Sequence, residues 1–370
     1  MKFECRRDEL SEAVGNVQKA VSTKSNVPIL EGIMISVAHD SVVLYGSDNE
    51  IGIECTLSAM VEQIGETVIK AAIFGDIIRN LPGDTVIVET LDDGKIRIAS
   101  GDAFFVLYVV QTDVFPSFPK VERKGMYTID QHVLKKMFSQ TSFAISTDDS
   151  RKVMTGLLLE SDDNDLRAVA VDGFRIALRK QPVEQGDHAI KMIIPARTVS
   201  ELIKIIPSTI GELRLFDGKN QAVIEFGNCR VFTRIIEGEF FNYRYILPNE
   251  YMTQVIVRRH DFLEAVERAA LIINTELIRR HPVVIKVSSE NYINVHALSD
   301  VGNTENEIHV EMEGEPIEVA FNPRFIIETL RAIDDEMVVV RFTTRVGQCV
   351  IRPVNNDGYT YLILPVKVSE

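Results

Sequence analysis

One arrangement of residues is written three times along the chain of 370 residues, at intervals of about 125 residues. The first copy opens with Phe3-Glu4-Cys5 and a polar turn at Asp8, then runs Leu10, Ala13, Val14, Val17 and Val21 at helical spacing. The second opens with Tyr127-Thr128-Ile129 and Asp130, followed by Leu134, Met137, Phe138 and Thr141. The third opens with Val255-Ile256-Val257 and Asp261, followed by Phe262, Ala265, Val266 and Ala269. No copy carries a catalytic motif, so the repetition points to a built shape rather than a reaction centre.

Each copy holds the same unit twice, because a second helix-then-strands passage follows the first. The second helix has an apolar stripe at Phe74, Ile77, Ile78 and Leu81 in copy one, at Val199, Leu202, Ile203 and Ile206 in copy two, and at Ile326, Thr329, Leu330 and Ile333 in copy three. One stripe per helix is what a helix lying on a sheet requires. Short β-branched runs follow, divided by Asp93-Gly94, Asp217-Gly218, Gly227-Asn228 and Asn356-Asp357-Gly358. Such pairs tolerate positive φ and match strand twist, so they predict hairpins and antiparallel sheets. The fold class is therefore α+β, with six helices each followed by roughly four strands, and two such units per domain.

The length fits two or three domains, and the repeat selects three: 1–124, 125–250 and 251–370, with short polar joints near Val121 to Gly125 and Pro248 to Thr253. No apolar run is long enough to span a bilayer and no signal-peptide pattern opens the chain, so a soluble cytoplasmic protein is expected. Cys5, Cys55, Cys229 and Cys349 sit singly in strand-like segments and read as small buried hydrophobes rather than metal ligands or disulfide partners. The seven histidines are scattered, and no metal, nucleotide or nucleophile motif is present. The Asp148-Asp149 and Asp162-Asp163 pairs read as solvated loops. No catalytic residue, metal or cofactor is expected.

The net charge of −14, from 40 basic and 54 acidic residues, opposes a protein that coats nucleic acid. Distribution matters more than the sum. Each predicted helix or its flank carries cations: Lys19 and Lys24, Arg79, Lys135 and Lys136, Arg197 and Lys204, Arg268 and Arg279, Arg324 and Arg331. The same helices contain Glu12, Asp76, Glu201, Glu264 and Glu328, so charge alone does not decide for DNA contact.

Val27-Pro28-Ile29-Leu30, Gly46-Ser47-Asp48, Val171-Asp172-Gly173-Phe174-Arg175, Phe240 to Pro248, Phe321-Asn322 and the closing Tyr361 to Val368 resemble, in this order and spacing, the bacterial sliding clamp, the β subunit of DNA polymerase III. The resemblance covers essentially the whole chain. It implies a DNA clamp fold of three similar domains, each of two helix-plus-antiparallel-sheet units, forming half of a closed six-domain ring that encircles duplex DNA as a homodimer. It implies a non-catalytic polymerase subunit that tethers polymerase subunits and other replication and repair proteins, and that needs a separate ATP-dependent clamp loader.

The resemblance also implies site residues. Lys24 and Arg197 are expected to face DNA without sequence preference. Phe105 and Leu107 are expected to pack against Leu271 and Ile272 of a second copy. A peptide pocket is expected from Met154, Val171, Gly173, Phe174, Arg175 and Ile176, with Phe241, Tyr245 and Ile246. Asn322, Phe325 and Val346 complete it with the tail Leu362, Ile363, Leu364, Pro365, Val366 and Lys367. An apolar groove of this kind holds Leu or Phe anchors while polar groups orient the segment. The chain departs from the family pattern at Phe241 and Asn242, where Pro often follows Phe, and at Lys367 to Glu370, where Lys for Arg forfeits the planar fork. Two other classes compete: a peptide-binding scaffold that does not use DNA, and a hydrolase assembled from scattered residues such as Asp172 and His296.

Overall fold

The computed structural model describes residues 1–22, 26–110, 115–116, 118, 126–162, 165–183, 189–218, 220–273 and 281–367. Lys24, Arg279, the joint at Val121 to Gly125 and the last residues Val368 to Glu370 lie outside them. Six α-helices stand among the described residues: α1 Arg7–Val17, α2 Ala71–Asn80, α3 Gln131–Ser139, α4 Ala196–Ile205, α5 Arg259–Ala270 and α6 Pro323–Ala332. Each follows a short strand at once or after a single residue, as in Lys2–Arg6 before α1 and Ile317–Phe321 before α6. This is the twice-per-copy unit read from the sequence.

Side-chain caps mark the starts of α3 and α6. The Asp130 carboxylate accepts from the His132 and Val133 amides at 2.8 and 3.3 Å, satisfying two of the amides that the first turn of α3 leaves without carbonyl partners. Asn322 does the same for α6 by accepting from the Arg324 amide, and Pro323 occupies the first turn, where no amide is missed. The apolar stripes are buried as spaced, except that Val21, Leu81, Thr141, Ile206 and Ile333 lie just beyond their helices and Ile203 is only partly buried. Asp93 and Gly94 both take positive φ, 64° and 67°, within the three-residue hairpin loop between the paired Leu91 and Lys95.

All named strand pairs are antiparallel, in four sheets. The described residues fall into two compact units. The first, drawn from Met1–Leu134 and Glu201–Ile235, contains a five-stranded and an eight-stranded sheet. The eight-stranded sheet takes Gly32–Ala38, Ser41–Ser47, Ile51–Ser58 and Gly65–Lys70 from the first repeat and four strands between Met126 and Arg234 from the second. The repeats meet where Ile51–Ser58 pairs with Cys229–Arg234.

The second unit, drawn from Lys135–Gln185, Ala189–Ser200 and Ile236–Glu370, contains a nine-stranded and a four-stranded sheet. In the nine-stranded sheet Arg175–Pro182 of the second repeat pairs with Tyr359–Ile363 of the third. Both faces of that sheet are covered. Ala170, Ala177, Tyr361 and Ile363 join the α5 and α6 stripes in one core, while Val169, Val171, Ile176, Leu178 and Leu362 join Met154, Phe240 and Tyr243 in another. Alternation along each strand divides the two sets.

One expectation is corrected. Cys55 and Cys229 form a disulfide, 174 residues apart in sequence, across the ladder that joins the first two repeats. No local pattern announces it, because only the register of that ladder brings the two residues together. Cys5 and Cys349 are free and buried, and burial pushes the Cys5 thiol up to about 12.

Candidate functional site

The second apolar core of the nine-stranded sheet is not closed over on all sides. Segment 236–251 lays Phe240 and Tyr243 onto the sheet face, with Ile236, Ile246, Leu247 and Tyr251 half-buried around them. Met154 comes from a short helical turn, and Leu362 and Leu364 from the C-terminal strand and tail. Three segments distant in sequence thus share one apolar floor. At its rim Phe174, Phe241, Tyr245 and Val346 stay exposed, Phe174 at 58 %.

Gly173 begins the rim. Its φ of +90° is one that side-chain-bearing residues rarely adopt, while no atom would crowd an added Cβ, so the turn requires glycine for its backbone alone. Asp172 accepts from the Phe174 and Arg175 amides at 2.9 and 3.1 Å and closes the turn. The turn lifts Phe174 into solvent, and its ring stacks on Phe325 of α6, with centroids 6.3 Å apart and planes 24° apart.

Arg175, 5 % exposed, holds this ledge from beneath. Its guanidinium lies 4.4 Å from the Phe325 ring centroid and 5.2 Å from that of Phe143. It donates to Asp172 at 2.8 Å, to Glu328 and to the Phe143 carbonyl at 2.6 Å. A planar cation with this many fixed acceptors ties the second repeat to α6 of the third. Burial alone would raise the Glu328 carboxyl, yet hydrogen bonds from Arg324 and Arg175 outweigh it and hold the group below its ordinary value.

The tail runs along the ledge. The Leu364 amide donates to the Phe174 carbonyl and the Val366 amide to the Ala320 carbonyl, both at 2.8 Å. Pro365 and Val366 are half-buried and Lys367 is exposed. Beside the floor a cavity of about 320 Å³ is lined by Leu158, Glu160, Lys191 and segment 239–244. In its wall the Tyr243 hydroxyl donates to Glu160 at 2.7 Å and Arg244 donates to the same carboxylate at 2.9 Å.

The structure therefore gathers Met154, Val171, Ile176, Ile246, Leu362 and Leu364 on one floor, while Phe325, which packs against the helix-side core, carries the Phe174 ring. Phe241 lines the neighbouring cavity, while Tyr245 and Val346 are exposed. Ile363 does not join them: it is fully buried in the helix-side core, because adjacent strand residues point to opposite faces. Asn322 acts locally as the cap of α6, and Arg175 as an ion-paired strut. Phe240, Tyr243 and Val350 belong to the floor and were not singled out from the sequence; the Phe240 to Pro248 string held the signal for the first two.

Of the other expected positions, Arg197 is exposed in the first turn of α4. Phe105 and Leu107 stand on the strand Ala103–Tyr108, an edge of the five-stranded sheet. Leu271 follows α5 at 84 % exposure, and Ile272 packs against the larger core. His296 shares a hydrogen bond with Asn294, and Asp172 is engaged by Arg175, so each is bound in a structural contact.

Comparison with known proteins bears on the whole chain. Residues 1–119, 128–242 and 244–367 match the N-terminal, central and C-terminal domain models of the DNA polymerase III beta subunit. The chain is 31% identical over 378 residues to the beta sliding clamp of Staphylococcus epidermidis, covering 99% of each. It is likewise 31% identical over 380 residues to that of Halalkalibacterium halodurans, covering 99% of this chain and all of the relative. The solved DNA polymerase sliding clamp of Bacillus subtilis superposes with a TM-score of 0.95 at 30% identity over the full length of both chains. Repeat, fold and full-length similarity agree, and the chain belongs to the DNA polymerase III beta subunit family, the sliding clamps.

Proposed function

We propose that the protein is a DNA sliding clamp: a processivity factor without chemistry of its own, which holds polymerase subunits and other replication and repair proteins on duplex DNA. The observation that carries this reading is the apolar floor with its half-buried margin of Ile246, Leu247 and Leu364, beside the exposed aromatics Phe174, Phe241 and Tyr245. A partner segment with large apolar residues would place them on Met154, Ile246, Leu362 and Leu364 and lay a flat side chain against the Phe174–Phe325 ledge. The pocket, the domain limits 1–124, 125–250 and 251–370, and work in the cytoplasm beside an ATP-dependent loader all follow from this reading.

Ring closure is proposed through two sheet edges. Ala103–Tyr108 ends the five-stranded sheet and Gly302–His309 ends the four-stranded one. The first exposes Phe104, Phe105, Val106 and Tyr108, an apolar edge that invites pairing. Lys95 and Arg97 lie on the strand beside it, and Glu305 and Glu307 on the second edge. Opposite charge and two open ladders support pairing of one copy's first edge with the other's second, as a head-to-tail homodimer. Lys24 and Arg197 are proposed phosphate contacts within the closed dimer.

The test is topological. Loaded protein should stay on nicked circular plasmid through a high-salt wash and leave on linearisation. Loss from both forms, or retention on both, would exclude a clamp, and with peptide binding intact would leave a scaffold that does not use DNA.

A further inference from the structure

The Cys55–Cys229 pair sits where a clamp needs no thiol chemistry. The ladder joining the first repeat's strands to the second's has five residue pairs, from Ile51↔Thr233 to Cys55↔Cys229, so the cysteines occupy its last rung. The next pair outward is hydrogen-bonded, the Thr56 amide donating to the Asn228 carbonyl at 2.9 Å. Antiparallel pairs alternate, which makes the cysteine rung a non-hydrogen-bonded pair, the kind with the closest Cα atoms. The Cα separation is 4.3 Å. Two neighbouring features make the rung reachable. It adjoins the Gly227-Asn228 hairpin turn, with Gly227 at φ +53°, at a ladder end where local opening costs least. A surface cavity of about 350 Å³ also has Thr56, Asn228, Arg230 and Cys229 itself in its wall. Cys55 lies fully buried behind its partner, and Asn16 of α1 covers the rung from the helix side, its amide 3.7 Å from the Cys229 sulfur. The remaining cysteines are single and buried, and burial raises both thiols, so neither competes as a thiolate.

We propose that Cys55 and Cys229 are a thiol–disulfide exchange site, through which low-molecular-weight thiols and disulfides lock and unlock the ladder between the first and second repeats. In opening, a small thiolate attacks the Cys229 sulfur, the bond to Cys55 breaks, and the Cys55 sulfur leaves and takes up a proton. A second small thiolate then attacks the mixed disulfide, releasing the small disulfide and the Cys229 thiol. Closure is the reverse, consuming one small disulfide and releasing two small thiols. The site is independent of the clamp reading, because it depends on the ladder alone.

The test uses the full chain equilibrated with reduced or oxidised glutathione, then denatured and alkylated. Mass spectrometry should count four alkylated cysteines after reduction and two after oxidation, with a Cys55–Cys229 cross-linked peptide in the oxidised digest. Native hydrogen exchange at the Thr56 amide should quicken by at least about tenfold on reduction. Cys55→Ser and Cys229→Ser should each exchange at the reduced rate in both buffers. Four alkylated cysteines after oxidation, a cross-link to Cys5 or Cys349, or unchanged exchange between the two states of the natural chain would overturn the proposal.

Discussion

Replacing Glu328 by Gln isolates the charge that holds the aromatic ledge. The change keeps size and leaves an oxygen that accepts from Arg175, so no cavity opens. The Arg175 contact changes from an ion pair to a hydrogen bond with only the donor charged, and weakens by roughly 1 kcal/mol. The second contact, from Arg324 at 2.9 Å, belongs to a cation 67 % exposed. Solvent screens it, and its loss adds about half a kcal/mol. Arg175 keeps Asp172 as a counter-charge, which spares the larger cost of stranding a buried cation. The sum, about 1.5 kcal/mol, lowers the melting temperature of a unit this size by about 3–6 °C. The pH dependence carries the sharper test. The Glu328 carboxyl is held below its ordinary value in the folded protein. Its contribution is therefore full above the unfolded-state pKa, about 4.3, and is lost as pH falls through the lower folded value. Differential scanning calorimetry should show the whole gap between natural and Glu328→Gln protein at pH 7 and a closing gap below about pH 4. A gap that stays constant from pH 7 to pH 3, or no gap at pH 7, would refute the assignment of Glu328 as the charged partner of Arg175.

The remaining expectations concern the surfaces. Ile246→Asp and Leu364→Asp each place a charge on the apolar floor and should weaken a fluorescent peptide carrying Gln and large apolar residues by more than about tenfold, or 1.4 kcal/mol, in anisotropy; undiminished binding by both puts the pocket elsewhere. Ile272→Asp should sediment as a folded monomer, and an intact dimer would remove that residue from the interface. Arg197→Ala should weaken binding to all duplex sequences alike, lowering the slope of log K against log salt by about 0.9 if one phosphate contact is lost; a sequence-selective loss would contradict a phosphate contact.

How far the sequence could be read depended on the range of the interaction. The six strand-to-helix units were legible because each is local: a period of two gives way to a period of 3.6 within a dozen or so residues, as at Val255 to Ala269. The Asp93-Gly94 turn was legible for the same reason. The floor of the site could be named only through family resemblance, since Met154, Ile246 and Leu362 read individually as core. Alternation along Tyr359–Ile363 places Leu362 and Ile363 on opposite faces, whereas the family resemblance carries the tail over as one block. Two features had no local trace at all. Glu328 meets Arg175 across 153 residues, and Cys55 meets Cys229 across 174, each through a register set by strands of different repeats.

The charge pattern gains its meaning from those same pairings. Many helix cations that suggested a DNA face are engaged by acids of their own or a neighbouring helix: Arg79 by Asp76 at 2.6 Å, Lys204 by Glu201 at 2.8 Å, Arg268 by Glu264 at 3.4 Å and Arg331 by Glu267 at 2.8 Å. A phosphate approaching any of them competes with a carboxylate already in place, so each contact adds little and is readily screened by salt. A protein that held DNA by affinity would leave such cations bare and would be positive overall, whereas this chain carries −14. Weak, interchangeable contacts suit a body that must move along the duplex, but they cannot by themselves keep it there. On the proposed reading retention must then come from closure at the sheet edges. Opening the Ala103–Tyr108 edge should abolish retention on circular DNA, while neutralising one helix cation should scarcely change it.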